Sequence, residues 1–201
     1  MTGKMFALTI ATTVILVYAG SATPPCRELS GAKAQQALAY LETSRQELNS
    51  ACIVHAIRQL GNQHYTPAAY VLATYLDFRM PGTENKDSEH KLHIERIPWL
   101  GEKYPAADAL FEIGKPASPS LVRVIGETSI SLLRDNALEV LLAIHSEDMP
   151  DAVMMLSQAS RSALDLATSI RLLDAAKKHA ARCPGELRVR CEDALFEHAR
   201  N

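Results

Sequence analysis

The chain has 201 residues, of which 47% are hydrophobic and 5% aromatic, and its formal net charge at pH 7 is −2. This length suits one compact domain, and the apolar content argues against an intrinsically disordered chain. The mildly acidic balance argues against a nucleic-acid partner, because phosphate backbones are bound by clustered positive charge. Alanine and leucine supply much of the apolar content, and both favour helices.

The N-terminal segment has the residue order of a secretory signal. One positive side chain precedes an uncharged run over residues 5–19, and small residues follow. This order predicts cleavage after Ala19 or Ala22. The alternative is an uncleaved anchor, although this run is shorter than the ~20 residues that a membrane-spanning helix needs. We predict that residues 1–22 are a signal peptide and that 23–201 form an exported domain, periplasmic or secreted and outside the membrane.

All four cysteines lie beyond the predicted signal, at Cys26, Cys52, Cys183 and Cys191. An even number of cysteines in an oxidising compartment suggests two disulfides. Of the three connectivities we favour Cys26–Cys52, at one end of the first pair of helices, and Cys183–Cys191, across the Cys-Pro-Gly turn of a C-terminal hairpin. A zinc site is the rival interpretation, but no Cys-x-x-Cys spacing is present.

Apolar residues recur at helical spacing, and no window shows the alternation of a half-buried strand. The predicted helices share that spacing and cover residues 29–48, 51–60, 67–78, 105–113, 118–126, 129–144, 149–160, 163–181 and 186–199. Gly61 is predicted to stop the second of them, and Gly114 to supply a positive φ after the fourth. Residues 81–91 are polar and charged with no apolar face, and we interpret 81–99 as a loop or an insertion, with a short helix around 90–96 before Pro98.

The sequence repeats itself at a shift of 31 residues. The shift superimposes apolar and proline positions: Leu110 on Leu141, Ile113 on Ile144, Pro119 on Pro150, Val122 on Val153 and Ile125 on Leu156. A shift of 53 residues places Ile57 on Leu110 and Gly61 on Gly114, and its excess over 31 is close to the length of the 81–99 insertion. The repeat therefore occurs at least three times, which predicts an all-α, α-α superhelix (solenoid) of stacked helical hairpins.

The segment AADALFEIGKPASPSLV, residues 106–122, resembles the HEAT-type repeat in the short version known from phycobilisome-lyase-like proteins. In that pattern one helix ends Ala-Leu-x-x-Ile-Gly, a proline-rich turn follows, and a second helix opens Pro-x-Leu. The close match covers 105–158, whereas 51–78 match more loosely and 163–199 only as generic helices. The resemblance implies a recognition scaffold and no particular reaction, because a fold alone does not assign chemistry.

In such stacks the second helix of each hairpin commonly lines the concave side, so its outward residues predict a protein- or peptide-binding groove. Apolar spacing selects these outward residues as Tyr70, Thr74, Asp77, Arg123, Glu127, Met154 and Gln158. The alternative is a plain polar surface, with Tyr70 in the core. The main prediction is a non-enzymatic binding or scaffolding module of the cell envelope, with a protein or peptide partner and neither metal nor cofactor.

Two small constellations suggest an alternative function, a hydrolase-like or metal-dependent envelope enzyme. Ser30 and Lys33 form Ser-x-x-Lys, the nucleophile motif of penicillin-binding proteins and serine β-lactamases, but the companion Lys-Thr-Gly is absent. Ser30 capping the first mature helix is the ordinary interpretation. His90 and His93 are three residues apart and could share a helix face, but two imidazoles need further metal ligands from elsewhere.

Overall fold

The computed structural model describes residues 26, 33–43, 48–83 and 100–196. All regular structure within these residues is helical, which confirms the predicted α class. The α-helices are, in chain order, α1 Ala34–Glu42, α2 Ser50–Asn62, α3 Ala69–Thr74, α4 Pro105–Ile113, α5 Ser118–Glu127, α6 Ser131–Ile144, α7 Met149–Ser162, α8 Leu166–Ala180 and α9 Gly185–Phe196. Short 3-10 turns precede α3, α4 and α5, at Thr66–Ala68, Leu100–Glu102 and Lys115–Ala117.

The first predicted helix, over residues 29–48, is too long at its C-terminal end. The chain leaves α1 at Thr43, whose backbone is extended at φ −68° and ψ 159°. Asn49 then caps the next helix, because its side chain accepts a hydrogen bond of 2.9 Å from the backbone N–H of Ala51. The leucine spacing continues through this region and so did not reveal the helix boundary. Asn49, as a polar capping residue, marks that boundary.

The two glycines that the repeat superimposes have different roles. Gly114 follows α4 with φ 75°, as predicted. Gly61 does not end its helix as predicted, because α2 continues to Asn62. A Cβ atom at Gly61 would lie 2.7 Å from the Cα of Ala109, closer than real Cβ contacts. Gly61 therefore allows α2 and α4 to approach each other closely.

Helices α2 to α6 pack in two rows. One row consists of α2, α4 and α6, in which α4 contacts both neighbours. The other consists of α3 and α5, which pack against each other. The fully buried side chains at these contacts belong to one core and include Ile57, Leu72, Leu110, Leu121 and Leu141. The helices from α2 to α6 thus bury their apolar side chains against one another in one core.

The C-terminal helices depart from this simple order. Helix α8 packs along α7 and also contacts α5 and α6, whereas α9 packs mainly on α7. The contact between α5 and α8 is close because Gly126 leaves space, with the Cγ2 of Thr168 only 3.0 Å from where a Cβ would lie. The Nε of Arg171 donates a 2.6 Å hydrogen bond to the Gly126 carbonyl oxygen. Helix α8 therefore folds back over the preceding hairpins.

Two disulfides join Cys26 to Cys52 and Cys183 to Cys191, with Cα atoms 4.7 Å and 6.6 Å apart. This is the connectivity that the sequence favoured. Disulfides form and persist in oxidising environments, so the pairs indicate an exported protein. Among the described residues, no helix has both the length and the hydropathy that crossing a bilayer requires.

The predicted 81–99 insertion leaves and rejoins the fold at neighbouring points. The backbone N–H of Met80 donates a 2.8 Å hydrogen bond to the carbonyl oxygen of Lys103. The buried Thr83 hydroxyl donates to the Met80 carbonyl oxygen at 2.7 Å. Residues 84–99, with the short helix predicted around 90–96, lie outside the described residues.

We predict that Gly61→Ala destabilises the protein although alanine is the better helix former. Alanine gains about 1 kcal/mol of helix propensity, but its Cβ meets the α4 backbone at Ala109 and forces the two helices apart. The expected net loss in the free energy of unfolding is about 1–3 kcal/mol, typical of overpacking, and urea denaturation measures it. Gly185→Ala is the control, because a Cβ there meets nothing within 4 Å. Equal stability of the two variants would contradict the close approach.

Candidate binding surface

Three of the predicted outward residues contact one another across two hairpins. The guanidinium carbon of Arg123 lies 4.1 Å from the ring centroid of Tyr70. Glu127 joins both partners, because its carboxylate accepts hydrogen bonds from the Arg123 Nε at 2.8 Å and from the Tyr70 hydroxyl at 3.2 Å. We call these three residues the Tyr70 cluster.

Helices α3 and α5 position the Tyr70 cluster by packing against each other. Arg123 and Glu127 are one turn apart on α5, and the side chains between them on that helix, Val124 and Ile125, are buried in the core. The Arg123 and Glu127 side chains are 58% and 50% exposed, whereas Tyr70 is half-buried. The hydrogen bond to Glu127, followed by the influence of Tyr70, raises the pKa of Arg123 above its ordinary value. The cluster therefore presents an arginine–glutamate ion pair, stacked on a tyrosine ring, on a surface shared by α3 and α5.

Thr74 and Asp77 extend from the same part of the chain as Tyr70. Thr74 is the last residue of α3, and its hydroxyl donates a 2.7 Å hydrogen bond to the Val71 carbonyl oxygen. Residues four apart share a helix face, so Thr74 continues the face of Tyr70. Asp77 is half-buried in the turn that follows.

Met154 lies in a different depression. An open cleft of about 250 Å³ between α7 and α9 is lined by Pro150, Asp151, Met154, Arg190, Asp193 and Ala194. No residue of the Tyr70 cluster lines this cleft, and the prediction of one groove that contains all the outward residues stays a prediction. Gln158, one turn further along α7, is exposed. The position of α9 on α7 could not be deduced from the spacing within α7 alone.

Sequence reasoning missed a buried polar contact between the turns of two hairpins. Ser118 begins α5 and His145 follows α6, and the Ser118 Oγ lies 2.8 Å from the His145 Nε2. A serine and a histidine at this distance resemble a nucleophile with its base. Both side chains are buried, however, and no described residue partners the His145 Nδ1. The pair therefore links two turns inside the fold. Its one sequence signal is that His145 occupies the repeat position of Gly114.

A second histidine, His179 on α8, is completely buried. Neither ring nitrogen has a hydrogen-bond partner of good geometry among the described residues. Burial lowers the pKa of His179 to about 4, and the Met149 main chain opposes this shift. Burial also lowers the pKa of His145, and the nearby Lys115 charge acts in the same direction. Both imidazoles are therefore neutral at pH 7.

The residues suggested for enzymatic chemistry lie mostly outside the described part of the chain. Ser30, His90 and His93 belong to that remainder, and Lys33 is an exposed residue with extended backbone just before α1. The described residues contain no group of three or more side chains that could hold a metal ion. The enzyme alternative stays a prediction from the sequence.

No protein-family model, curated protein or solved structure matches this chain. The resemblance to HEAT-type repeats therefore stays a prediction that rests on the sequence pattern. The functional argument has to come from the surface itself.

We predict that His179 makes the fold acid-sensitive. Its pKa of about 4 lies below the ordinary value of 6.5, so the unfolded chain binds the proton first as the pH falls. The free energy of unfolding therefore holds its full value, as far as His179 is concerned, above pH 6.5. It decreases as the pH falls towards 4, by about 3 kcal/mol in total. His179→Met removes the titrating group and should flatten this pH dependence, measured as urea unfolding at pH 7.5 and pH 4. His55→Met, at an exposed position of α2, is the matched control for the substitution itself. An equally steep acid loss in His179→Met would refute the assignment.

Proposed function

We propose that the chain is an exported HEAT-like repeat protein that binds another protein or a peptide in the periplasm or outside the cell. The observation that carries this proposal is the Tyr70 cluster, in which the second helices of two successive hairpins contribute side chains to one exposed polar site. A site shared between neighbouring repeats is how solenoid proteins build extended recognition surfaces.

The order of packing supports the repeat interpretation. Helices α2, α4 and α6 lie in one row and α3 and α5 in another, as the 31-residue register requires. We infer that these rows are the start of an α-α superhelix, formed by a single domain over 23–201 after removal of a signal peptide. The two disulfides support export, because such bonds persist in oxidising compartments.

The chemistry of the Tyr70 cluster suits a peptide ligand. Arginine and tyrosine are enriched among residues that dominate binding energy at protein interfaces. Stacking on Tyr70 and the hydrogen bond to Glu127 hold Arg123 in one place, so less conformational entropy is lost when a ligand binds. The Nε of Arg123 donates its hydrogen bond to Glu127. The terminal N–H groups of the guanidinium can therefore donate to a peptide carbonyl or carboxylate.

A peptide-display selection on the purified, disulfide-bonded protein tests the proposal. We expect selected peptides to bind wild type, and Arg123→Ala to weaken their affinity about tenfold or more in fluorescence anisotropy, as an interface anchor would. Tyr70→Phe keeps the ring beneath Arg123 and removes only the hydroxyl that reaches Glu127, so its effect should be smaller.

The chain offers a matched control at Arg188. Arg188 and Glu192 form another exposed pair four residues apart, with side chains 61% and 58% exposed. Arg188→Ala removes the same charge from α9 and should leave peptide affinity unchanged. Failure to select any peptide, or equal losses in Arg123→Ala and Arg188→Ala, would contradict the proposed site.

A further inference from the structure

Helix α8 is apolar on two sides. Leu172, Ala175 and Ala176 are buried against the preceding helices. On the other side, Leu166, Ile170 and Leu173 are 75%, 57% and 37% exposed. Their spacing of four and three residues places them on one helix face. We call these three residues the α8 stripe.

The α8 stripe differs from the other exposed apolar side chains because its three members lie on one face of one helix. Leu164, two residues before α8, is also fully exposed. The remaining large exposed apolar residues are spread over other elements: Phe111 on α4, Ile130 and Leu132 at the start of α6, and Val189 and Phe196 on α9. Scattered exposed side chains are ordinary on a soluble protein, whereas a contiguous patch marks an interaction surface.

Opposite charges bracket the α8 stripe. Asp165 caps the N-terminus of α8, and its Oδ1 accepts from the Thr168 backbone N–H at 2.8 Å. Lys177 lies four residues after Leu173, and therefore on the stripe's own face near the opposite end. Asp165 lies at the N-terminal end of α8 and Lys177 near its C-terminal end, so a second copy of α8 laid antiparallel would bring the lysine end of each helix to the aspartate end of the other. The charges at the two ends are therefore complementary between copies.

We propose that the α8 stripe is a two-fold interface with a second copy of this chain, in which two α8 helices pack antiparallel. Such an isologous contact uses one surface twice and closes without further growth. Aliphatic side chains then meet around Ile170, and two Asp165–Lys177 pairs close the ends. Antiparallel pairing also sets the positive end of each helix dipole against the negative end of the other. A lipid surface fits less well, because apolar helix faces that bind membranes are flanked mainly by lysine and arginine.

Sedimentation velocity on the purified, disulfide-bonded protein tests this interface over a wide range of concentration. We expect a reversible dimer, and Ile170→Glu should weaken its association about tenfold or more, because two carboxylates meet near the axis. Ile170 is exposed, so the substitution should leave the circular dichroism and thermal unfolding of the monomer intact. Leu166→Ser provides a second, uncharged variant with the same expected direction.

A charge cycle separates specific antiparallel pairing from general adhesion. Lys177→Glu should weaken the dimer by facing the partner's Asp165, and adding Asp165→Asn should restore part of the affinity while its side-chain oxygen still caps α8. Arg188→Glu is the control, since it reverses an exposed positive charge on another helix, α9. A monomer at every concentration, a dimer unaffected by Ile170→Glu, or equal weakening by Lys177→Glu and Arg188→Glu would overturn the proposal. So would a monomer that floats with phosphatidylethanolamine–phosphatidylglycerol vesicles.

Discussion

A short helical hairpin has an apolar face that it cannot bury by itself, and the neighbouring hairpin supplies what covers it. Helix α4 illustrates this constraint most directly, because it lies between α2 and α6 and also contacts α3. Of its nine residues, six are buried, so little of the helix surface is left for solvent. The consequence is one core that continues from α2 to α6, and the polar side chains on α3 and α5 that lie outside this core form an exposed surface.

Polar contacts at the turns connect neighbouring hairpins to each other. The His64 Nδ1 lies 2.5 Å from the Glu112 carbonyl oxygen, at the end of α4. The next pair of turns is joined by the exposed ion pair of Lys115 with Asp148 and by the buried contact of Ser118 with His145. An exposed ion pair contributes little, whereas a buried polar contact holds a unique geometry because leaving either partner unsatisfied is costly. These links keep successive hairpins in one register.

The helices of this fold follow from local sequence, whereas its tertiary contacts follow only in part. Periodicity and cysteine spacing predicted the helices and the disulfide pairing, because both depend on short stretches of chain. Of the residues that apolar spacing selected on α3 and α5, Tyr70, Arg123 and Glu127 contact one another. The role of Gly61 was missed, since a close helix approach leaves no local mark that differs from a helix stop. The fold-back of α8 and the burial of His179 depend on long-range packing that one sequence does not encode by spacing.

Amide hydrogen exchange tests most directly whether adjacent hairpins share one core. If they do, the amides of α4 at Ala109 and Leu110 exchange only when the neighbouring helices open as well. Their free energy of opening should then equal that of α2 and α6 and exceed that of α9, which packs mainly on α7. A lower free energy of opening for the α4 amides than for the α9 amides would show that α4 opens alone. That result would contradict the shared core.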